Sequence, residues 1–336
     1  FDVKVARGFD DFHFPAGGHC TRVCRYSDLD YSPDAGTSKR SQAMKIVDAH
    51  HHFWDPIRND HPWLSQQPPI AFRYGDYSAL RRPFMPPDYD ELSSRWDVIA
   101  SITMEGEWNP ADPTGEARWM QNLHDEIGRP VAHVAQAWLD RDDLEQVLRT
   151  YRRLPLVRSV RHKPRANPAP GGPPGGMTCQ SFLEGFRRLS DEGLMFDLQT
   201  PWWHLFEAEN LSLLAPHVPI ILNHAGLPSD RSASGLAAWR DALMQFAVLP
   251  NTFIKISGLG LAGRPWQIQE NLVIIQDCIT IFGPHRAMFA SNFPVDGLCG
   301  SFDTIFSGFD QATTNLPAAD RDLLFYDTAL AVYGMT

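Results

Sequence analysis

The feature that most constrains the fold of this chain is a short apolar run that ends in three consecutive histidines, with the sequence IVDAHHHFW at residues 46–54. An apolar run of this length predicts a parallel β-strand that is buried on both faces. Because side chains alternate along a strand, His50 and His52 are expected to point the same way and His51 the opposite way. Two imidazoles at the carboxyl end of one strand can share a metal ion or a substrate oxyanion, so the segment also predicts a functional pocket.

The segment from Asp55 to Pro87 is rich in proline and in aromatic residues. A loop of this length is usually either functional or disordered. Its aromatic content favours a segment that packs over the mouth of the pocket. Arg73, Arg81 and Arg82 are possible anchors for an acidic substrate, although a solvated surface position is the more common outcome for any one arginine.

The rest of the chain alternates between short β-branched apolar runs and longer segments with helical periodicity. Each predicted strand is followed by a helical stretch, which is the pattern of a (β/α)8 TIM barrel in a single domain, residues 44–336. The competing doubly wound sheet normally carries a glycine-rich turn after its first strand, where this chain carries histidines. The eight predicted strands are Ile46–Ala49, Val98–Met104, Val131–Leu139, Leu156–Arg161, Met195–Gln199, Pro219–Asn223, Thr252–Ile256 and Arg286–Ala290.

Polar side chains collect at the carboxyl ends of most of these predicted strands. A barrel of this kind places its chemistry at that end, so the set predicts an active site. Its members are His50, His52, Glu105, Glu107, Arg161, His162, Lys163, Gln199, His224, Lys255, Ser257, Ser291, Asn292 and Asp296.

The motifs at the strand ends resemble those of the amidohydrolase superfamily, in the amidohydrolase-2 branch that includes sugar lactonases and a pyrone-dicarboxylate lactonase. The resemblance covers nearly the whole chain from Met44 onward, and the order and spacing of the motifs make it specific. It implies a metal-dependent, lactonase-like hydrolase. The motifs are DAHHHFW at 48–54, EGEW at 105–108, VRH at 160–162, FDLQ at 196–199, ILNHAGLP at 221–228, KISGL at 255–259 and MFASNFP at 288–294.

The resemblance places His50, His52 and His224 at metal-ligand or oxyanion-binding positions, and residue 292 at the position of the strand-eight aspartate. Here the chain departs from the family, because residue 292 is asparagine. An amide is neither a general base at neutral pH nor a strong metal ligand. We therefore expect the carboxylate to come from Asp296 or from Glu105.

A two-metal site is not expected, because no bridging lysine is evident at the end of strand four. The imidazole and carboxylate donors predict one divalent ion, with Zn²⁺ favoured, or no metal at all. The remaining site predictions assign catalysis to Asn292, Asp296, Glu105 and His162, and assign substrate contacts to Glu107, Arg161, Gln199, Lys255 and Trp54.

Composition narrows the class of partner. The net charge is −10 and the basic residues are scattered, so neither nucleic acid nor an anionic membrane is an expected partner. Five cysteines without zinc-finger spacing indicate reduced thiols in a cytoplasmic protein. Residues 1–43 lack helical or strand periodicity and are expected to be a disordered or non-native extension of the barrel.

Three functions remain open on the sequence. The leading hypothesis is hydrolysis of a small polar ester, a lactone of a sugar acid or of an aromatic catabolite, through carbonyl polarisation and a carboxylate-activated water. The alternatives are a non-oxidative decarboxylase of the same superfamily and a barrel that binds but has lost turnover, for which Asn292 is the only hint. Fold alone does not separate them.

Overall fold

The computed structural model describes residues 44–335, and its eight strands form one parallel sheet in which each strand pairs with the next along the chain. This is the predicted (β/α)8 barrel. The strands are β1 Lys45–His51, β2 Asp97–Met104, β3 Ala132–Gln136, β4 Val157–His162, β5 Met195–Leu198, β6 Ile220–Leu222, β7 Thr252–Ile256 and β8 Ala287–Phe289.

The helices lie between these strands and after the last one. Glycines in the left-handed αL conformation end two of them, Gly128 after α3 and Gly193 after α5, and Ser232 caps α7 by accepting from the Gly235 N–H at 3.0 Å. The helices are α1 Pro62–Ser65, α2 Pro86–Ser93, α3 Gly115–Ile127, α4 Leu144–Tyr151, α5 Gln180–Glu192, α6 Ala208–Leu214, α7 Ala233–Ala247, α8 Ile268–Phe282, α9 Phe302–Thr313, α10 Ala318–Asp322 and α11 Thr328–Val332.

The barrel closes just beyond the carboxyl end of β8. The Asn292 N–H donates to the His50 carbonyl and the His52 N–H donates to the Phe293 carbonyl, both at 2.7 Å. The buried Asp48 carboxylate also accepts hydrogen bonds from the Ser291 hydroxyl and N–H, at 2.6 and 2.8 Å. The first strand is therefore tied to the eighth at the end where the polar residues collect.

One predicted strand ends earlier than the sequence indicates. The strand predicted over Val131–Leu139 stops at Gln136, because the Leu139 N–H donates to the His162 ring at 3.1 Å and so leaves the sheet.

Apolar side chains fill two layers, one between the sheet and the helices and one inside the barrel. The inner layer contains Val47, Ala49 and Met288, and it is completed by Tyr333, which follows α11. Between residues 44 and 335 no helix has the length and hydropathy needed to cross a membrane. The predicted extension, residues 1–43, lies outside the described residues.

Candidate active site

A bulge in β1 decides which of the three histidines face the barrel interior. Between Asp48 and His51 the strand carries one residue more than its partner β2. Ala49 belongs to the inner apolar layer, yet the next residue, His50, also faces inward, with its ring centroid 4.5 Å from that of His224. A regular strand would place these neighbours on opposite faces, and the extra residue removes that restriction.

The imidazoles of His50, His52 and His224 form one cluster at the carboxyl end of the barrel. The ring centroids of His50 and His52 are 5.3 Å apart. The His51 ring lies on the other side of the strand, 4.4 Å from the ring of Tyr89. The alternation expected for residues 50 to 52 is therefore present, and we name these three inward rings the imidazole cluster.

Hydrogen bonds fix the tautomer of one member of the imidazole cluster and orient another. The Nδ1–H of His52 donates to the Met104 carbonyl at 3.1 Å, which leaves its Nε2 with a free lone pair. Nδ1 of His224 lies 3.0 Å from the Ser257 hydroxyl. Both ring nitrogens of His50 are buried without a hydrogen-bond partner among residues 44–335. Burial lowers the pKa of all three rings well below the usual range, and nearby cationic groups lower it further, so the rings are neutral.

The donors of the imidazole cluster fit a divalent metal ion. Neutral imidazoles whose second nitrogen is held by a carbonyl or hydroxyl are the usual protein ligands of Zn²⁺, and the unpartnered nitrogens of His50 suit the same role. Residues 44–335 nevertheless contain no three His, Cys, Asp or Glu side chains already arranged as metal ligands. The cluster has suitable donors but no preformed ligand set.

Glu105 and Arg161 form a buried ion pair beside this cluster. Arg161 donates from Nε to the Glu105 carboxylate and from Nη2 to its backbone carbonyl, each at 2.6 Å, and from Nη1 to Gln199 at 3.0 Å. Burial raises the pKa of Glu105, but Arg161, Lys163 and the Glu107 N–H outweigh it and bring the pKa to about 2. Glu105 is therefore ionised and hydrogen-bonded to Arg161. It is a weak base, and it holds the Arg161 guanidinium in place.

The segment after β8 brings Asn292 and Asp296 together. Nδ2 of Asn292 donates to the Asp296 carboxylate at 2.6 Å, and the Tyr74 hydroxyl donates to the same oxygen at 2.8 Å. Burial raises the pKa of Asp296 to about 6, although Arg73 and these hydrogen bonds act in the opposite direction. A carboxylate that titrates near neutrality is suited to accept a proton.

Backbone strain is concentrated at the same end of the barrel. Among residues 44–335, the non-glycine residues with positive φ are Glu107 (60°), His224 (55°), Ala225 (52°), Leu227 (58°) and Asn292 (55°). All of them follow β2, β6 or β8. Because such conformations are unfavourable for side chains with a Cβ, a fold keeps them where they aim a group, and functional sites are where they gather.

Most of these groups line a cavity of about 160 Å³. Its walls include aromatic residues of the loop after β1, which packs over the mouth as predicted. The Trp63 and Phe72 rings are stacked with centroids 5.7 Å apart, and Trp63 Nε1 donates to the Gly106 carbonyl at 2.7 Å. The lining residues are His52, Trp54, Trp63, Phe72, Arg73, Glu105, Gly106, Glu107, Arg161, Lys163, Gln199, His224, Asn292 and Val295.

Eight of the twelve predicted site residues are in this lining, and four are not: His50, His162, Lys255 and Asp296. His50 is buried next to the lining residues His52 and His224. Asp296 is held behind Asn292, to which it is hydrogen-bonded.

His162 requires a correction, because the structure places its side chain away from the cavity. Its ring packs on Phe182 of α5 with centroids 5.0 Å apart, and its Nδ1 accepts the Leu139 N–H. The reason is strand alternation, since Arg161 on the same strand faces inward.

Lys255 faces the interior but contacts a different group of residues. Its ammonium forms an ion pair of 2.8 Å with Asp197, which also accepts from Asn223 at 2.9 Å and from the Tyr333 hydroxyl at 2.9 Å. We name these four residues the floor network. The predicted substrate contact of Lys255 is corrected accordingly, because its charge is already neutralised inside the barrel.

Six lining residues were not among the predicted site residues: Trp63, Phe72, Arg73, Gly106, Lys163 and Val295. Lys163 belongs to the polar set predicted at the strand ends, and in the structure it forms an ion pair with Glu107. Trp63, Phe72 and Arg73 come from the loop after β1, and of these three the sequence singles out only Arg73, as a possible anchor for an acidic substrate. Only the course of the loop brings them to the cavity.

Comparison with known proteins identifies relatives over most of the chain. A family model described as amidohydrolase matches residues 47–335. The uncharacterised protein y4mH of Sinorhizobium fredii is 33% identical over 296 residues, which covers 86% of this chain and 98% of the relative. An L-fucono-1,5-lactonase of Burkholderia multivorans is 26% identical over 301 residues, covering 86% of this chain and 96% of the relative.

A solved structure shares the fold. The crystal structure of an amidohydrolase from Burkholderia multivorans with bound zinc superposes with a TM-score of 0.72 at 24% identity, covering 86% of this chain and 99% of that one.

Proposed function

This chain is a hydrolase that belongs to the amidohydrolase family, and from that premise we propose that it hydrolyses a small polar ester, a lactone of a sugar acid or of an aromatic catabolite. The observation that carries the proposal is the meeting of the imidazole cluster, Arg161 and Asn292 at one small cavity. The resemblance to an L-fucono-1,5-lactonase supports the same class of substrate.

The size and lining of the cavity suit a small polar ring. A volume of about 160 Å³ is below the range of pockets that hold drug-sized ligands. Trp54 and Trp63 supply flat apolar walls, while Arg161, Gln199 and Glu107 supply donors and acceptors for hydroxyl or carboxylate groups. This combination of few polar groups and aromatic walls fixes the orientation of a ligand.

Arg161 is placed to stabilise the oxygen that gains charge when water attacks the ester carbonyl. Its guanidinium is held by Glu105 and Gln199, so it needs no reorganisation during the reaction. The backbone strain at His224 and Asn292 keeps their side chains directed at the same space.

We assign the general base to Asp296 rather than to Glu105. A pKa of about 6 leaves Asp296 ionised at neutral pH and still able to hold a proton, whereas Glu105 with a pKa of about 2 is bound to Arg161. Asn292 donates Nδ2 to Asp296, and its amide oxygen accepts one hydrogen bond from the attacking water. Because Asp296 lies behind Asn292, the proton that this water loses would pass to the Asp296 carboxylate through a second, bridging water. In this scheme the carboxylate absent from position 292 is replaced by one four residues later in the chain.

One divalent metal ion is part of the proposal, with His50, His52 and His224 as its ligands. Zn²⁺ is favoured because the donors are imidazoles, and a zinc-bound structure of similar fold agrees with this choice. When bound, such an ion polarises the ester carbonyl as a Lewis acid.

Two further properties belong to the proposal. We propose that the protein works in the cytoplasm, because Cys179, Cys278 and Cys299 form no disulfide among residues 44–335. We also propose that its partner is the small-molecule substrate rather than nucleic acid or a membrane, since the net charge is −10.

The test is a panel of sugar-acid lactones, pyrone carboxylate lactones and hydroxylated aromatic acids, combined with metal analysis of the purified protein. We expect acid release from at least one lactone, and its loss in His52→Ala with retention in His217→Ala, a control at an exposed histidine. Release of CO₂ from an aromatic acid without lactone turnover would instead identify the decarboxylase.

A further inference from the structure

A second cavity lies beside the first, and Arg73 lines both of them. Its volume is about 190 Å³. Segments that follow β5, β6 and β7 form it together with Arg73 and Tyr74, so it opens from the same end of the barrel. Most of its wall is apolar, formed by Pro201, Trp203, Leu227, Pro228, Leu261 and Ala262.

Arg231, in the wall of this cavity, has two buried N–H groups without a hydrogen-bond partner among residues 44–335. Its Nη2 donates to the Leu259 carbonyl at 2.9 Å, but Nε and Nη1 are buried without a hydrogen-bond partner in the part of the chain that the structure describes. Glu270, whose charge acts on Arg231, is paired with Arg264. Burial lowers the pKa of Arg231 to about 10, so the side chain is still charged at neutral pH. A buried, charged donor of this kind is unfavourable unless a ligand supplies acceptors.

Arg73 supplies a second guanidinium to the same cavity. Its Nη2 donates to the Gly258 carbonyl at 3.1 Å and to the Tyr74 hydroxyl at 2.5 Å. Gly258 has a φ of +61°, and a Cβ on it would lie 2.8 Å from that nitrogen and 2.5 Å from Nδ1 of His224. Glycine at this position therefore allows Arg73 to sit where the two cavities meet.

We propose that the second cavity is an anion subsite for a carboxylate carried on a small apolar or ring skeleton, with Arg231 and Arg73 as its cationic partners. The planar fork of a guanidinium matches the two oxygens of a carboxylate. The walls of proline, tryptophan and leucine suit an apolar skeleton better than a fully hydrated phosphate. Because Arg73 also lines the first cavity, a substrate that spans both would place its ester in the first and its carboxylate in the second. Only this last step rests on the proposed function.

The experiment measures binding without turnover. Isothermal titration calorimetry of the full chain compares benzoate with benzamide, its uncharged counterpart, and with inorganic phosphate. We expect benzoate to bind more tightly than either of the other probes. Arg231→Gln should weaken benzoate binding at least 10-fold, and Arg231→Lys less, because a lysine keeps the charge but loses the fork. Arg58→Gln, at an exposed arginine that lines neither cavity, should leave the benzoate affinity unchanged.

Equal benzoate affinity in the wild type and in Arg231→Gln, with both proteins folded by thermal midpoint, would overturn the subsite. Tighter binding of phosphate than of benzoate would overturn the carboxylate class. Since none of these readouts needs hydrolysis, a protein without lactone turnover would still give a clear result here. The spanning step has its own check, which is a larger loss of kcat/KM in Arg231→Gln for a carboxylated lactone than for its uncharged analogue.

Discussion

The imidazole cluster and the floor network lie inside the same barrel and are equally buried, but their polar atoms are satisfied to different degrees. In the floor network the Asp197 carboxylate accepts from Lys255, Asn223 and Tyr333, and Asn223 Oδ1 is the one side-chain polar atom of the network without a partner among residues 44–335. In the imidazole cluster both ring nitrogens of His50 have no partner among residues 44–335. A buried polar atom left unsatisfied costs about 1–3 kcal/mol. The contrast indicates that the floor network stabilises the barrel, whereas the imidazole cluster is completed by a ligand.

The largest expected effect separates two neighbouring histidines of β1. His52→Ala should lower kcat/KM on the lactone by ~10⁴-fold or more, because it removes a ligand of the ion that would polarise the reacting carbonyl, and should change stability little. His51→Ala should do the reverse, since its ring packs on Tyr89 and its loss leaves a cavity worth roughly 2–4 kcal/mol. Steady-state kinetics and urea unfolding measure both quantities. If His51→Ala loses turnover while it remains folded, the assignment of His52 to catalysis and of His51 to packing is wrong.

Replacing Asp296 tests where the base lies. Asp296→Asn should lower kcat by about 10²–10⁴-fold. With a pKa of about 6 for Asp296, activity should fall as the pH drops below about 6, because the protonated carboxyl can no longer accept a proton. This acidic limb should disappear in Asp296→Asn and survive in Glu105→Gln, whose wild-type carboxylate has a pKa of about 2. A limb that vanishes only in Glu105→Gln would assign the base to Glu105.

Breaking the floor network should affect stability rather than chemistry. Lys255→Met leaves the Asp197 carboxylate buried without its cation, and we expect a loss of about 3–5 kcal/mol in the free energy of unfolding. The double variant Lys255→Met with Asp197→Leu should recover part of that loss, because it removes both charges. Urea denaturation gives the free energies, and kcat per folded molecule provides the control. A Lys255→Met protein that is fully stable but has no turnover would show that Lys255 acts in the reaction rather than in the floor network.

The smallest expected effect is at position 292. Asn292→Ala removes a hydrogen bond that orients the base but leaves the carboxylate in place, so kcat should fall by about 10 to 100-fold. Its acidic limb should persist, unlike that of Asp296→Asn. A complete loss of turnover in Asn292→Ala, with no effect of either carboxylate substitution, would show that catalysis depends on the imidazoles or on a substrate group.

The order of the elements could be predicted from sequence because it depends on local periodicity. The β-branched runs and the helical spacing between them predicted the eight strands, and the polar residues after most strands predicted which end carries the site. For eight of the twelve predicted site residues this was enough to place them in the cavity wall. Each of those residues lies within a few residues of a strand end, which places it at the mouth of the barrel.

Other features depended on contacts between segments distant in the chain, which local pattern does not encode. The bulge that turns His50 inward is visible only against β2. Lys255 is part of the floor network rather than the cavity wall because it pairs with Asp197, which also accepts from Tyr333 near the end of the chain. In the same way, the sequence alone left Asp296 and Glu105 as equal candidates for the base. The tertiary structure drove their pKa values apart, because Arg161 lies beside Glu105 whereas burial dominates at Asp296.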